Sequence, residues 1–189
     1  EIGLGVRLEL NAILTALDGL RGIAGDFHVG LNVSPQTLIS GGVDGYIDDL
    51  EPHRVVLEIT EHSLVDDYGL LNRRLAPLRE AGVRVAVDDA GAGYASMRHV
   101  LAIHPDIIKL DLSLTRGIDT DSPRRALAAA LIEFARQTQS QVVAEGVETA
   151  SELAALQALG VDDVQGYHLA RPLEADALAQ RLAADRLRA

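Results

Sequence analysis

The sequence predicts an α/β protein, a TIM-like (β/α)8 barrel present as an incomplete barrel of about six β/α units, and three observations carry that expectation. Short apolar runs of strand character alternate with stretches of helical period, which calls for a parallel sheet with right-handed crossovers. The polar residues of those runs collect at their C-terminal ends, where a barrel keeps its chemistry: Asn32, Glu58, Asp88, Asp89, Lys109, Glu145 and Gln165. An open doubly wound sheet would carry a phosphate-binding G-x-G-x-x-G after its first strand, and GLNVS at 30 to 34 lacks it.

Taken in order, Leu10, Ile13, Leu14, Leu17 and Leu20 recur at helical spacing within residues 4 to 21, and Gly22 and Gly25 end the pattern. FHVGLNV at 27 to 33 reads as a strand closed by Asn32, Ser34 and Pro35, because proline cannot continue inside a sheet. Residues 38 to 50 predict a short helix. VVLEIT at 55 to 60 is a strand bearing Glu58, with Glu61 just beyond it. A helix over 70 to 80 contains Pro77, which bends it or delays its start, and Gly82 follows. VRVAVDDAGAG at 83 to 93 is a buried strand that meets two aspartates and a glycine-rich turn, followed by a short helix near 95 to 101.

IIKLDL at 107 to 112 is the strand carrying Lys109 and Asp111. Ser122 and Pro123 supply an N-cap and a first-turn proline for a helix over 124 to 139. QVVAE at 141 to 145 is a strand, and Thr149 with Glu152 makes a capping box for a helix that Gly160 ends. VQGYH at 164 to 168 is the last strand, and 175 to 187 the terminal helix. No linker or low-complexity stretch divides the chain, so residues 1–189 read as one domain.

Residues two apart on a strand share a face. Gly30 with Asn32, Val56 with Glu58, Ala86 with Asp88, Ile107 with Lys109 and Asp111, and Val143 with Glu145 then point into the barrel. The alternate residues, such as Leu57 with Ile59 and Val85 with Val87, suit packing on outer helices.

Composition narrows the function. A hydrophobic content of 48% and a mean hydropathy of +0.12 suit one sizeable core. With no cysteine there is no disulfide framework and no thiolate zinc site, in keeping with a reducing cytoplasm, and no apolar run reaches a membrane span. The net charge of −11 and aromatic content of 3% speak against a surface for duplex nucleic acid. A small anion can approach such a chain if cations mediate.

Asp88 and Asp89 repel one another and need bulk water or a cation between them. A solvated turn, with one Asp capping the next helix, is the plainer alternative. Asn32, Glu58, Asp88, Asp89 and Glu145 together offer only oxygen ligands, the preference of Mg²⁺ or Mn²⁺. Chemistry alone leaves a second option, proton abstraction beside a carboxylate with Lys109 as base and one metal. The six histidines have no metal-ligand spacing.

LNVSP at 31 to 35, EITE at 58 to 61, DDAGAGYAS at 88 to 96, IKLD at 108 to 111, AEGVE at 144 to 148 and QGYHLARP at 165 to 172 resemble, in order, the motifs of the EAL family of cyclic di-GMP phosphodiesterases. The resemblance implies metal-dependent hydrolysis of cyclic di-GMP to linear pGpG in bacterial signalling. It implies two Mg²⁺ or Mn²⁺ ions, one on Asn32, Glu58 and Asp88 and the other on Asp88, Asp89 and Glu145. Lys109 then holds the attacking water or the developing charge and Asp111 orients it. Glu145 is general base or metal ligand, Gln165 a substrate-binding residue at the site edge, and Glu61 and Glu148 supports of the mobile loop. A homodimer, with sensor or GGDEF domains in a longer parent chain, is the expected setting.

Departures from the family pattern are as specific. The Glu-Ala-Leu motif with its following arginine, and two barrel strands, are absent from the chain, which is then either a fragment or a degenerate domain. Ala90 and Ala92 stand where phenylalanine and threonine are usual, and Leu112 where arginine is usual. These substitutions bear on coupling of the loop to a dimer more than on metal binding, whereas the missing first strand favours an alternative, a degenerate, non-catalytic receptor or interaction domain for cyclic di-GMP.

Overall fold

Six parallel strands form one sheet in the order β1-β2-β3-β4-β5-β6, so every crossover returns the chain to the next position and the sheet is half a barrel with its helices outside. The computed structural model describes residues 3–20, 22–23, 27–43, 51–59, 65–91 and 94–186. Glu61 lies outside the described residues, as do 44 to 50 of the helix expected at 38 to 50.

The elements are α1 (Leu4–Leu20), β1 (Val29–Asn32), α2 (Pro35–Ile39), β2 (Val55–Ile59), α3 (Tyr68–Glu80), β3 (Arg84–Ala90), α4 (Tyr94–Ile103), β4 (Ile107–Leu110), α5 (Leu112–Thr115), α6 (Ser122–Gln137), β5 (Gln141–Ala144), α7 (Ala150–Leu159), β6 (Asp163–Val164) and α8 (Ala175–Arg186). Several boundaries differ from expectation for definable reasons. Ser34 and Pro35 open α2 as well as ending β1: the Ser34 hydroxyl accepts from the Thr37 N–H, and proline sits where a helix has no use for its missing donor. Asp121, not Ser122, caps α6, its carboxylate accepting from the Arg124 N–H at the positive end of the helix. Pro77 does not delay α3, which starts at Tyr68 under an Asp67 cap and is held by buried Leu71, Leu75 and Leu78.

The last strand is shorter than expected. Only Asp163 and Val164 pair with β5, because the chain turns at Gly166, whose carbonyl accepts from the N–H groups of Leu169 and Ala170. A Cβ at Gly166 would collide with the Val147 backbone. Gln165 therefore projects from the end of a strand rather than from within one.

Side-chain alternation divides the core as the sequence pattern requires. Leu57, Ile59, Val85, Val87, Ile108, Leu110, Val142 and Ala144 belong to the large cluster between sheet and helices. Val56, Ala86 and Ile107, with Val143 against them, form a separate small cluster on the concave face. Each fully buried Leu or Ile contributes about 1.5–3 kcal/mol by leaving water, so the outer layer holds the strands in register.

Leu57 is fully buried in β2, at the centre of that outer layer. Leu57→Ala should reduce stability by about 2–5 kcal/mol in urea denaturation. A loss under about 1 kcal/mol would mean that the core does not depend on this face.

Candidate functional site

Parallel register brings the strand ends together. Asn32 of β1 lies opposite Glu58 of β2, and Lys109 of β4 lies opposite Val143, two residues before Glu145. The Glu58 carboxylate lies over Gly30, where a Cβ would collide with it. Glycine at this position gives the acid its room on the concave face. Asn32 is exposed at the rim.

Neighbouring residues on a regular strand point to opposite faces, so Asp88 and Asp89 could not both reach one site. The strand breaks the rule. Its register with β4 shifts between Val87 and Ala90, and Asp89 adopts a left-handed backbone with φ of 56°. Aspartate tolerates that region better than most side chains, and the Asp89 N–H closes on Asp88 Oδ1 at 3.0 Å. This bulge brings Asp88, Asp89 and Glu145, all half-buried, to within 4.8 Å of one another through one oxygen each.

Lys109 stands beside this cluster, 6% exposed. Its ammonium lies 2.7 Å from Glu58 Oε2, 3.2 Å from Asp88 Oδ1 and 2.5 Å from Glu145 Oε1. Burial alone would lower the lysine pKa, but Glu58 and Glu145 overcome it and hold Lys109 well above its ordinary range. Glu145 is pushed up by burial first and then by the Asp88 and Glu58 charges, with Lys109 opposing. Lys109 faces Glu58, Asp88 and Glu145, and Asp89 lies beside Asp88 and Glu145, so carboxylates outnumber the ammonium in this cluster. Lys109 is also the only lysine in the sequence; the remaining 16 of its 17 basic residues are arginines. A compact ammonium suits a point among three acids, where a planar guanidinium imposes its own fork.

The other expected residues frame the cluster. Gln165 donates from Nε2 to Glu145 Oε1 at 2.7 Å. Asp111 accepts from the Ser113 N–H and caps α5. Exposed Glu148 pairs with Arg116 at 2.5 Å. Two carboxylates that the strand-end pattern does not single out hold the adjoining turns. Glu9 Oε2 on α1 accepts from the Ser34 N–H and hydroxyl and the Thr37 hydroxyl, just after Asn32. Glu152, legible only as a capping box, also accepts from the Gly117 N–H at 2.9 Å. The α5 leucines cover the ligand turns: Cβ atoms at Gly91 and Gly146 would collide with Leu114 and Leu112 respectively.

Two cavities flank the cluster. One of about 560 Å³ lies beside Glu145 and Gln165, with Leu112, Tyr167, Arg171 and Pro172 along it. The other, of about 360 Å³, lies in the concave face below Glu58 and Lys109. An all-oxygen donor set with surplus negative charge, half-buried and next to a nucleotide-sized space, fits a hard divalent ion.

The chain is similar to known proteins over most of its length. A family model described as the EAL domain matches residues 1–172. The chain is 33% identical over 148 residues to PdeA of Escherichia coli, a probable cyclic di-GMP phosphodiesterase, covering 75% of this chain and 20% of PdeA. It is 29% identical over 164 residues to MucR of Pseudomonas aeruginosa, a bifunctional diguanylate cyclase/cyclic di-GMP phosphodiesterase, covering 84% of this chain and 24% of MucR. Among solved structures, the EAL domain of Mycobacterium smegmatis DcpA aligns with a TM-score of 0.84 at 29% identity, covering 96% of this chain and 84% of that one. The manganese/cyclic di-GMP complex of Klebsiella pneumoniae BlrP1 aligns with a TM-score of 0.75 at 30% identity, covering 88% and 45%. The chain spans less than a third of the length of the curated relatives it matches.

The carboxyl of Glu152 yields a pH prediction. Burial alone would raise its pKa, but hydrogen bonds from the backbone N–H groups of Gly117, Glu148 and Thr149 and from the Thr149 side chain outweigh that and hold it below the usual carboxylate value. Its contribution to stability is therefore present above the unfolded value of about 4.3 and is lost as pH falls through the lower folded value. Melting temperatures from about pH 5 to pH 3 should fall more steeply for the unaltered chain than for Glu152→Gln. Parallel curves would contradict the assignment.

Proposed function

The chain belongs to the EAL domain family, and from that premise we propose that it hydrolyses cyclic di-GMP to linear pGpG with Mg²⁺ or Mn²⁺. The observation that carries this reading is the cluster of Asp88, Asp89 and Glu145 beside Lys109. Its surplus negative charge would repel a dinucleotide that itself carries two phosphates, unless divalent ions reverse the local field.

Asp88, Asp89 and Glu145 would hold one ion, and Asn32, Glu58 and Asp88 a second. A divalent ion held there supplies Lewis-acid chemistry, lowering the pKa of water and neutralising charge on phosphoryl oxygens. Lys109 is the fixed positive charge of the site: ion-paired with three carboxylates, it stabilises negative charge as it develops. Gln165 orients Glu145 through its hydrogen bond, and Asp111 acts through the segment it caps. The larger cavity would receive the rest of the substrate.

We assign residues 1–189 to a single domain of a cytoplasmic signalling protein that works as a homodimer, with sensor or GGDEF domains in the parent chain. The pairing of cyclase and phosphodiesterase in MucR supports the latter point. Among the described residues no helix is long and apolar enough to cross a membrane. A second reading, binding without turnover, is favoured by Leu112, which presents an aliphatic wall beside Glu145 where the family pattern has arginine.

Incubation with cyclic di-GMP and Mn²⁺ or Mg²⁺, followed by chromatography for pGpG, separates the readings. Turnover should vanish with a chelator and return with Mn²⁺. Lys109→Met and Glu145→Gln should each lower it by about 10²-fold or more, with melting curves recorded alongside. Binding without product would select the receptor reading, and unchanged turnover in both variants would dismiss the roles given to these residues.

A further inference from the structure

We propose that Glu152 is a positioning residue for Glu145, holding the far end of the turn on which that ligand sits. The inference rests on the metal reading above for its consequence, but on contacts outside the metal cluster for its argument.

Glu152 is 5% exposed in the first turn of α7. A capping box needs a single contact back from its glutamate to the N-cap backbone, which Oε2 makes to the Thr149 N–H at 3.0 Å. The same oxygen also accepts from the Glu148 N–H at 2.9 Å, and Oε1 reaches out of the helix to the Gly117 N–H at 2.9 Å. One carboxylate thus ties the turn after β5 to the segment after α5. Those two segments meet twice more, through the Arg116–Glu148 ion pair and through Leu112 lying where a Gly146 side chain would be.

Four backbone donors along 145 to 149 have partners that divide the turn in two. The Glu145 N–H bonds Leu110 O at 3.1 Å and the Val147 N–H bonds Gln165 O at 3.1 Å, both at the sheet end. The Glu148 and Thr149 donors are taken by Glu152 alone. Gly146, between Glu145 and Val147, has φ of 66°, a conformation that a side chain rarely adopts. Without Glu152 the turn would be fixed at its start and loose at its end, and the Glu145 carboxylate would lose its placement against Lys109, Asp88 and Asp89. Supports of this kind, one step removed from the ligands, commonly matter about 10–100-fold in metal affinity.

Two substitutions separate position from charge. Glu152→Gln removes the charge and gives up the Gly117 bond, where its NH2 would face an N–H, but keeps an amide oxygen within reach of the Glu148 and Thr149 N–H groups, whereas Glu152→Asp keeps the charge and shortens the reach. Positioning predicts that Mn²⁺ affinity, titrated calorimetrically on the intact chain, stays within about twofold for Gln and weakens about tenfold for Asp and for Ala. Thr149→Ala, which removes the other half of the cap, should lower the melting temperature and leave Mn²⁺ affinity in place.

A second readout needs no metal. Because Lys109 is the only lysine, ¹⁵N-lysine labelling gives one side-chain Nζ resonance, which reports its contact with Glu145. That resonance should shift in Glu152→Asp and not in Thr149→Ala. Wild-type affinity together with an unmoved resonance in Glu152→Asp would overturn the proposal, as would Thr149→Ala matching Glu152→Asp in both. A chain that binds no Mn²⁺ at all but keeps the predicted resonance shift would refute the metal reading and uphold the positioning role.

Discussion

The site depends on one constraint: a single ammonium must neutralise acids delivered by three different strands and the turns beyond them. Glu58 comes from β2, Asp88 from β3 and Glu145 from the end of β5, and all three meet the lysine of β4. Such a meeting tolerates little slippage, because a one-residue change of register would send an acid to the opposite face. The in-register pairing of β1 with β2, β2 with β3 and β4 with β5, and the aliphatic layer behind them, are therefore part of the electrostatics. Breaking the arrangement by deleting Lys109 would leave partly buried carboxylates facing one another, which is more unfavourable than never having assembled them.

Carboxylates serve two purposes in this molecule, and hydrogen-bond geometry distinguishes them. In the site they face an ammonium and one another, with charge left over. Outside it, Glu9 and Glu152 each collect three neutral donors, Glu9 from Ser34 and Thr37 just after β1 and Glu152 from the turn after β5 and from Gly117. An ionised acceptor makes stronger hydrogen bonds than a neutral one, so a single side chain can order a whole turn. Acidic composition thus reflects both chemistry and scaffolding, and the net charge of −11 does not measure the site.

Much of this was legible in the chain. The alternation of Leu57 and Ile59 with Val56 and Glu58 assigned both faces of β2 correctly, since a half-buried strand leaves a period of two. The meeting of Asp88 and Glu145 with Lys109 was legible because barrel chemistry lies at strand ends. What escaped has local causes. Ser122 resembles a cap as much as Asp121 does, and only the Arg124 contact decides between them. Pro35 has the same signature whether it stops a strand or opens a helix. Gln165 sits past its strand because Gly166 presses on Val147, a contact between segments that periodicity cannot encode. Glu9 acts on Ser34 across 25 residues. The isolation of Lys109 as the only lysine was visible by counting.

The bulge at Asp88 and Asp89 carries a consequence for how such a protein can change by descent. A regular β3 would pack its outer face just as well, since Val85 and Val87 precede the irregularity and lie in the helix-facing layer. Deletion of a single codon there would turn one aspartate away from the mouth while sparing the barrel wall. Chemistry and architecture can therefore be lost separately.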